Sequence, residues 1–573
     1  MPVHNSDINT ILGKLADLLE IDGANAFRVR AYRNAARTVE GLGRNVAEMA
    51  AQGEDLSDLP GIGKDMAGKI VEIVETGRLK QLEELQQRVP GELAELLTLP
   101  GLGAKRVKAL HDKLGIDDRQ SLLTAVQEGK VRELEGLGPK TEQKILQELQ
   151  RRRDTEMRLR LAEVEEVAET LLDYLQNVRG VKRAVIAGSY RRRKETVGDL
   201  DILVTCSRGS PVMDRFVHYD EVDEVVSQGE TRSTVRLRSG LQVDLRVVPE
   251  VSYGAALHYF TGSKAHNIAV RKLGVAKKLK INEYGVFRGQ NRIAGRTEQE
   301  VYDQVGLPYI EPELREDRGE IDAAKADNLP KLITLADIRG DLHAHTNETD
   351  GKYTAEEMAE AAKQRGYDYL AITDHSKRLT VARGLDEKRL RRQIERIDKL
   401  NEKLKGFRLL KGIEVDILED GRLDLDDAVL AELDVVVGSI HSKFDLPADK
   451  QTERVIRAMD NPHFHILGHP SGRMLGQREP HELDVERAIA AAAERGCFLE
   501  VNAQPERLDL SDSHCKLAKQ MGIKVAISTD AHSTATLDFM RYGIDQARRG
   551  WLEPADVINT RSWRELKRLL RRS

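Results

Sequence analysis

The C-terminal third of the chain alternates short apolar segments with amphipathic stretches of helical period. The seven segments are "DLHAHT", "YLAITDH", "GIEVDI", "VVVGSIHS", "HILGHP", "CFLEVNAQ" and "KVAISTDAH". Strand–helix alternation of this kind predicts a parallel sheet closing into a barrel. Upstream, "RAVIAGSYRRRKETVGDLDILVT" (183–205) predicts a strand, a Gly-Ser turn, a helix and a second strand. "LQVDLRVV" (241–248) alternates as a strand does. Nearer the N-terminus, "LPGIGKDMAGKI" (59–70), "LPGLGAKRVKAL" (99–110) and "LEGLGPKTEQKI" (134–145) share an apolar-x-Gly-apolar-Gly turn followed by a helical pattern. Their uneven spacing predicts hairpins spread over two small helical domains rather than a solenoid.

The chain has 573 residues, enough for several domains. Hydrophobic residues make up 40% and charged residues 32%, which predicts a globular chain with ample core material. No apolar run approaches the ~20 residues of a membrane helix. The N-terminus lacks the basic and apolar regions of a signal peptide. Three scattered cysteines without a CxxC pair fit a reducing cytoplasm and argue against a disulfide framework. A net charge of −5 announces no nucleic-acid partner, but "KRAVIAGSYRRRK" (182–194) and "SKAHNIAVRKLGVAKKLK" (263–280) are locally basic. Taken alone, either run reads first as a solvated face.

Six of the seven C-terminal segments carry one or more of the candidate ligands His, Asp or Glu. Functional groups in such barrels gather at the C-terminal ends of strands. His343, His345, Asp350, His375, Glu414, His441, His469, Asp530 and His532 are therefore predicted to converge on one mouth as metal ligands. A single strand-end histidine is commonly a cap or core residue; nine such residues together point to a metal centre. In the middle of the chain, Asp199 and Asp201 lie two apart on a strand and face one way. With Asp244 on the neighbouring strand they can hold two Mg²⁺ ions. Gly188 and Ser189 can offer N–H groups and a hydroxyl to a triphosphate, and Arg191 and Arg192 can neutralise it. In the glycine turns, Gly61, Gly63, Gly101, Gly103, Gly136 and Gly138 expose N–H groups at helix N-termini, where DNA phosphates are favoured. A plain packing unit is the alternative.

The glycine turns resemble helix-hairpin-helix motifs. The Gly-Ser…Asp-x-Asp pattern, "YFTGSKAHNIAVR" (259–271) and "INEYGVFR" (281–288) together resemble the family X DNA polymerases, the polymerase beta class, over residues 1–315. The resemblance implies that Asp199 and Asp201 bind both metals, and that Asp244 binds the catalytic one. It implies that Ser189 and Arg192 contact the triphosphate. Tyr259, Phe260 and Gly262 would shape the sugar pocket, Asn267 would touch the base, and Arg271 would lean on the template. Lys264 stands where that class has an acidic residue; it either holds the nucleotide more tightly or is simply solvated. Lys69 aligns with the lysine that forms a Schiff base at abasic sites, and Asp65 replaces a nearby lysine of that pattern.

The barrel segments resemble the PHP (polymerase and histidinol phosphatase) domain, a distorted (β/α)7 barrel with three metal ions. By that resemblance His343, His345, Glu414 and Asp530 hold one ion, Glu414 bridges to a second held by His441 and His469, and Asp350, His375 and His532 hold the third. Zn²⁺ and Mn²⁺ both suit this donor set. His463, His465, His481 and His514 match no ligand position.

The expected architecture is multidomain α and α/β. It comprises helical hairpin domains (1–82 and 83–152), a nucleotidyltransferase palm with a mixed sheet (153–258), a nascent-base-pair subdomain (259–315), a linker (316–335) and the barrel (336–573). The expected function is a gap-filling repair polymerase with a 3′–5′ exonuclease that also nicks abasic sites. It would work as a cytoplasmic monomer on gapped or nicked DNA and dNTPs, without a membrane. A degenerate barrel scaffold and a small-molecule phosphatase are the alternatives.

Overall fold

The computed structural model describes residues 5–571 except 41–45, 52–53, 60, 87, 91–92, 98, 100–101, 135–136, 140, 147–148 and 150–157. Two compact units divide the chain, residues 1–157 and 158–573.

In the first unit, helix α1 (Asn5–Asp22) buries Ile8, Leu12, Leu15 and Leu19, the spacing of one helical face. These side chains cluster with Ile70 and Ile73 of α2 (Lys64–Thr76) and with Val107 and Leu110 of α3 (Ala104–Leu114). The cluster continues to Ile145 and Leu149, so residues 1–82 and 83–152 contribute to one core. Two of the predicted glycine turns start these helices: Gly63 caps α2 and Gly103 caps α3, both in extended conformation. At the third turn the Gly138 carbonyl accepts from the Thr141 N–H (2.8 Å). A side chain added at Gly63, Gly103 or Gly138 would meet nothing within 4 Å, so these turns face open space. Gly101 and Gly136 lie outside the described residues.

The second unit opens with α4 (Leu161–Gln176), which buries Leu161, Val164, Ala168, Leu171 and Leu175 against a five-stranded sheet. Its strands are β1 (Val181–Ile186), β2 (Asp199–Cys206), β3 (Val222–Ser227), β4 (Arg232–Leu237) and β5 (Gln242–Val247), in the order β1-β2-β5-β4-β3. Only the β2–β5 pair is parallel, so the sheet is mixed as predicted. The helix expected after the Gly-Ser turn is a single turn, Gly188–Arg191. Helices α5 (Tyr253–Thr261) and α6 (Lys264–Ala276) follow, then a three-stranded antiparallel sheet within 280–294.

The stretch expected to be a linker, 316–335, is packed. Glu320 is fully buried and accepts from His266 Nδ1 (2.7 Å) and the Asp317 N–H (2.9 Å). Polar anchors of this kind leave no hydrophobic period in the sequence.

The barrel strands are β6 (Gly340–Asp341), β7 (Tyr369–Ile372), β8 (Arg408–Asp416), β9 (Val435–Ser439), β10 (Ile466–Leu467), β11 (Phe498–Asn502) and β12 (Val525–Ser528). They pair in chain order and all in parallel. A parallel bridge between Ala344 and Ala531 brings the first and last segments together, which nearly closes the barrel. Tyr369, Ala371, Val435 and Val437 cluster with Leu566 near the C-terminus, while their neighbours Leu370 and Ile372 pack in a separate cluster with Met358 and Ala362. This is the two-faced burial of a parallel sheet.

Palm and barrel share a core. Leu508 and Tyr542 of the barrel lie in one cluster with Leu161, Phe216 and Leu245. The Tyr542 hydroxyl donates to Glu165 Oε2 (2.8 Å), and Arg193 joins Glu165 (2.9 Å) to Asp545 (2.8 Å). Among the described residues no helix is long and apolar enough to cross a membrane.

The barrel wall leaves no spare room at Gly438 of β9, where an added Cβ would sit 2.0 Å from Phe464 Cε2. Gly438→Ala should destabilise the protein by roughly 1–3 kcal/mol through overpacking. Thermal unfolding checks this, and an unchanged midpoint would contradict the packing described.

Candidate functional site

In the palm, the parallel register of β2 and β5 sets Asp201 beside Asp244, and Asp199 lies one step along the same face of β2. Asp244 is buried and held from below: its Oδ1 accepts from Thr234 Oγ1 (2.6 Å) and Arg232 Nη2 (3.1 Å). Burial, reinforced by Asp199 and Asp244, pushes the Asp201 carboxyl up to about 7. Burial and Asp244 raise Asp199 as well. Three carboxylates so crowded are a site that a divalent cation would complete.

Beside them lies a cavity of about 550 Å³. Its lining includes Asp199, Asp201 and all nine residues expected at the nucleotide: Gly188, Ser189, Arg192, Tyr259, Phe260, Gly262, Lys264, Asn267 and Arg271. Gly188 has φ +63°, and a Cβ there would lie 2.9 Å from Asp201 Oδ2, so only glycine lets the turn approach the carboxylates. Gly262 has φ +67° and faces Arg192 Nη1. Asn267 Nδ2 donates to the Tyr259 carbonyl (2.7 Å), and Arg271 lies over the Tyr259 ring (5.1 Å). Arg191, expected to help neutralise the triphosphate, points elsewhere: it forms a two-pronged pair with Glu298 (2.9 and 2.6 Å). Arg158 and Lys194 also line the cavity. Lys194 closes the basic run 182–194 but carries no expected role there, and Arg158 lies outside every quoted motif, so nothing in the sequence marks it.

In the barrel, the nine expected ligands converge at the C-terminal ends of the strands. His345, Asp350, His375 and His532 form one group able to hold an ion; His343, His345 and Asp530 form a second, and His375, Glu414 and His441 a third. The grouping differs in detail from the one implied by resemblance, since His345 and His375 each belong to two clusters. Glu414 is 1% exposed and faces imidazoles with both oxygens. Oε2 lies 2.8 Å from His375 Nδ1 and 3.4 Å from His343 Nε2; Oε1 lies 2.9 Å from His469 Nε2 and 3.3 Å from His441 Nε2. Burial alone would raise its carboxyl; His375, His441 and His343 outweigh burial and hold it well below the usual carboxylate range.

Two of the supporting contacts were not foreseen. Glu500 accepts from His343 Nδ1 (2.7 Å) and Asp416 from His441 Nδ1 (2.5 Å), which leaves each Nε2 facing the cluster. Both carboxylates stand in the strand segments "CFLEVNAQ" and "GIEVDI", so the strand-end signal was present. His469 and Asp530 have left-handed backbones (φ +26° and +51°), a strain of about 1–3 kcal/mol each. His463, His465, His481 and His514 join no ligand cluster among the described residues.

The donor set fits metal ions. His343 Nε2, both ring nitrogens of His345, His375 Nδ1 and Glu414 Oε2 are buried and, although His375 Nδ1 lies 2.8 Å from Glu414 Oε2 and His345 Nε2 3.0 Å from Asp530 Oδ1, none makes a hydrogen bond of good geometry. Leaving five such atoms unsatisfied is costly unless a cation takes them up.

Comparison with known proteins agrees with this geometry. Family models match a helix-hairpin-helix domain (3–79), a SAM-like helix-hairpin-helix tandem (93–151), the DNA polymerase beta palm (158–246), the DNA polymerase beta thumb (256–316) and the PHP domain (341–504). A Bacillus subtilis (strain 168) protein named DNA polymerase/3′-5′ exonuclease PolX is 39% identical over 575 residues, covering 100% of both chains. The chain belongs to the family X DNA polymerases that carry a C-terminal PHP domain. This family X polymerase is also similar to DNA polymerase lambda of Rattus norvegicus, 27% identical over 55% of this chain and 56% of that one. A probable phosphatase of Thermoanaerobacter sp. (strain X514) is 34% identical over 38% of this chain and 89% of its own length. Polymerase and PHP domains together imply divalent cations, and the polymerase domains imply DNA and nucleotide substrates.

The raised Asp201 carboxyl gives a pH dependence. Its folded pKa, about 7, exceeds its ordinary value, so the metal-free fold loses stability as pH rises toward 7, and a cation must displace a proton below 7. The Mg²⁺ concentration for half-maximal primer extension should be roughly 10-fold higher at pH 6 than at pH 8. Equal requirements at the two pH values would contradict the crowding of the three carboxylates.

Proposed function

We propose that this polymerase fills short gaps during DNA repair, and that its barrel is a 3′–5′ exonuclease trimming the primer end. We further propose that it acts as a cytoplasmic monomer on gapped or nicked DNA, with the three glycine turns holding the DNA backbone. The observation that carries the reading is the presence, in one unit, of two separate ligand-rich sites: carboxylates beside a nucleotide-sized cavity, and at the barrel mouth eight residues in ion-sized groups with His469 against Glu414 (2.9 Å).

Asp199, Asp201 and Asp244 would hold two Mg²⁺ ions in the palm, and the nine barrel residues three ions of Mn²⁺ or Zn²⁺. Cations so held supply positive charge for developing oxyanions and orient the attacking and leaving oxygens of a phosphodiester. The chain's own residues do the rest. Ser189, Arg192 and the turn at Gly188 grip the triphosphate; Tyr259, Phe260 and Gly262 form the floor under the sugar; Asn267 and Arg271 align the base and template. Lys264 at the cavity edge adds charge for the nucleotide. In the barrel, Glu500 and Asp416 orient His343 and His441. Nicking at abasic sites is a second hydrolysis suited to the same ligand set. The small-molecule phosphatase alternative draws on the Thermoanaerobacter relative, whose printed name is a probable phosphatase. The full-length match to a protein named for polymerase and exonuclease favours DNA as the substrate.

The two sites share no ligand, so their chemistries should separate. On a 5′-labelled gapped primer, Asp244→Ala should lower extension at least ~100-fold, the scale of losing one transition-state electrostatic element. Its 3′ degradation and DNA binding should persist. Glu414→Ala should eliminate degradation, and His343→Ala should reduce it strongly, while both still extend. Glu414→Ala that folds and degrades primer at the parent rate would remove the exonuclease from the barrel.

Lys69 is proposed as the nucleophile of a 5′-deoxyribose-phosphate lyase. Its ammonium is ion-paired with Asp65, whose carboxylate is 86% exposed, so water screens the pair. Borohydride should trap the protein on DNA bearing a 5′-deoxyribose phosphate, and Lys69→Ala should prevent trapping. Equal trapping by parent and variant would move the nucleophile elsewhere.

A further inference from the structure

The barrel helix α7 (Met540–Arg549) ends against the turn of the palm that lines the nucleotide cavity. Its last residue, Arg549, is 3% exposed. Arg549 Nη1 donates to the backbone carbonyl of Arg192 (2.7 Å) and to Glu316 Oε1 (3.1 Å); its Nη2 donates to Asp512 Oδ2 (2.7 Å). Arg192 donates from Nε to the same Glu316 oxygen (3.0 Å) and from Nη1 to the Thr261 carbonyl (2.5 Å). Arg318 completes the group, donating to Asp512 Oδ2 (3.0 Å) and to the Arg549 carbonyl (3.1 Å). Three guanidinium groups thus share two carboxylates, and the one facing the cavity is Arg192.

The sharing matters electrostatically. A carboxylate paired with a single guanidinium cancels its charge; a carboxylate divided between two leaves each with a positive surplus. These side chains are largely buried, so water screens the surplus weakly.

We propose that Arg549 is a positioning residue for nucleotide binding: by sharing Glu316 it keeps the Arg192 guanidinium oriented and charged toward the incoming triphosphate. The barrel is then part of the polymerase's nucleotide site as well as the bearer of its own. The inference rests on the reading of Arg192 as a triphosphate contact. Arg541, also on α7, pairs with Glu165 (2.8 Å); neither residue lines the cavity, so Arg541 serves as a control.

The test is single-nucleotide insertion on gapped DNA with a dNTP titration, using the full chain. Arg549→Ala should raise the dNTP KM about 10-fold, within the range of one hydrogen bond to a charged group. Its kcat should stay close to the parent's; its unfolding midpoint should fall, because a buried guanidinium shared by Glu316 and Asp512 is lost, so the titration is run at a temperature where circular dichroism shows the variant folded. Arg549→Lys should restore part of the affinity, and Arg541→Ala should leave KM unchanged. In a Glu316→Ala background the effect of Arg549→Ala should largely vanish, because the shared carboxylate is gone. An unchanged KM in Arg549→Ala, an equal rise in Arg541→Ala, or a full effect without Glu316 would each overturn the proposal. Arg192→Ala separates the two readings. If it raises KM while Arg549→Ala does not, the triphosphate contact stands and the inference fails; if it leaves KM unchanged, both fall.

Discussion

Glu414 sits at the point where the barrel's electrostatics are decided. It is buried on β8 among His343, His345, His375, His441 and His469, with each oxygen turned to a different set of imidazoles. A single carboxylate cannot satisfy five rings, and the unpartnered ring nitrogens around it record the shortfall. The strands carry these residues to one place because a nearly closed parallel barrel points all its strand ends the same way. Left-handed backbone at His469 and Asp530 completes the arrangement at a cost in strain that bound cations would offset. The palm repeats the principle with fewer parts, as burial, reinforced by the two neighbouring aspartates, pushes the Asp201 carboxyl up to about 7.

The two sites are chemically separate but mechanically joined. Tyr542 and Leu508 belong to the palm's hydrophobic cluster, and Glu165, Arg193 and Asp545 tie α4 and the Gly-Ser turn region to α7. Removing the barrel would take Tyr542 from Glu165, Asp545 from Arg193, and Arg549 from the Arg192 turn. The barrel is accordingly a structural support for the palm, whatever it hydrolyses.

Much of this was legible in the chain. The convergence of the nine candidate barrel residues was visible because apolar runs mark the strands and His, Asp and Glu are rare within them. The cavity residues were legible through motif spacing, as Gly188, Ser189, Asp199 and Asp201 lie close in sequence. What escaped were contacts between distant segments of polar residues. Glu316, Arg318 and Glu320 read as a polar linker, because burial paid in ion pairs has no hydrophobic period. Arg191 and Arg192 are neighbours with the same chemistry, and only tertiary packing sends one to Glu298 and the other to the cavity. Glu500 and Asp416 were hidden behind the ligands they support.

The central claim is that the barrel's buried ligands are completed by cations bridged through Glu414. Elemental mass analysis of the parent and of Glu414→Ala, each equilibrated with Mn²⁺ and then desalted, measures this directly. Asp244→Ala, whose barrel ligands are intact, serves as the control for palm-bound metal. The expected result is about three retained ions per parent chain, the number a PHP-type ligand set holds, the same retention in Asp244→Ala, and a clear loss in Glu414→Ala. A parent chain that retains no metal, or a folded Glu414→Ala that retains as much as the parent, would contradict the account.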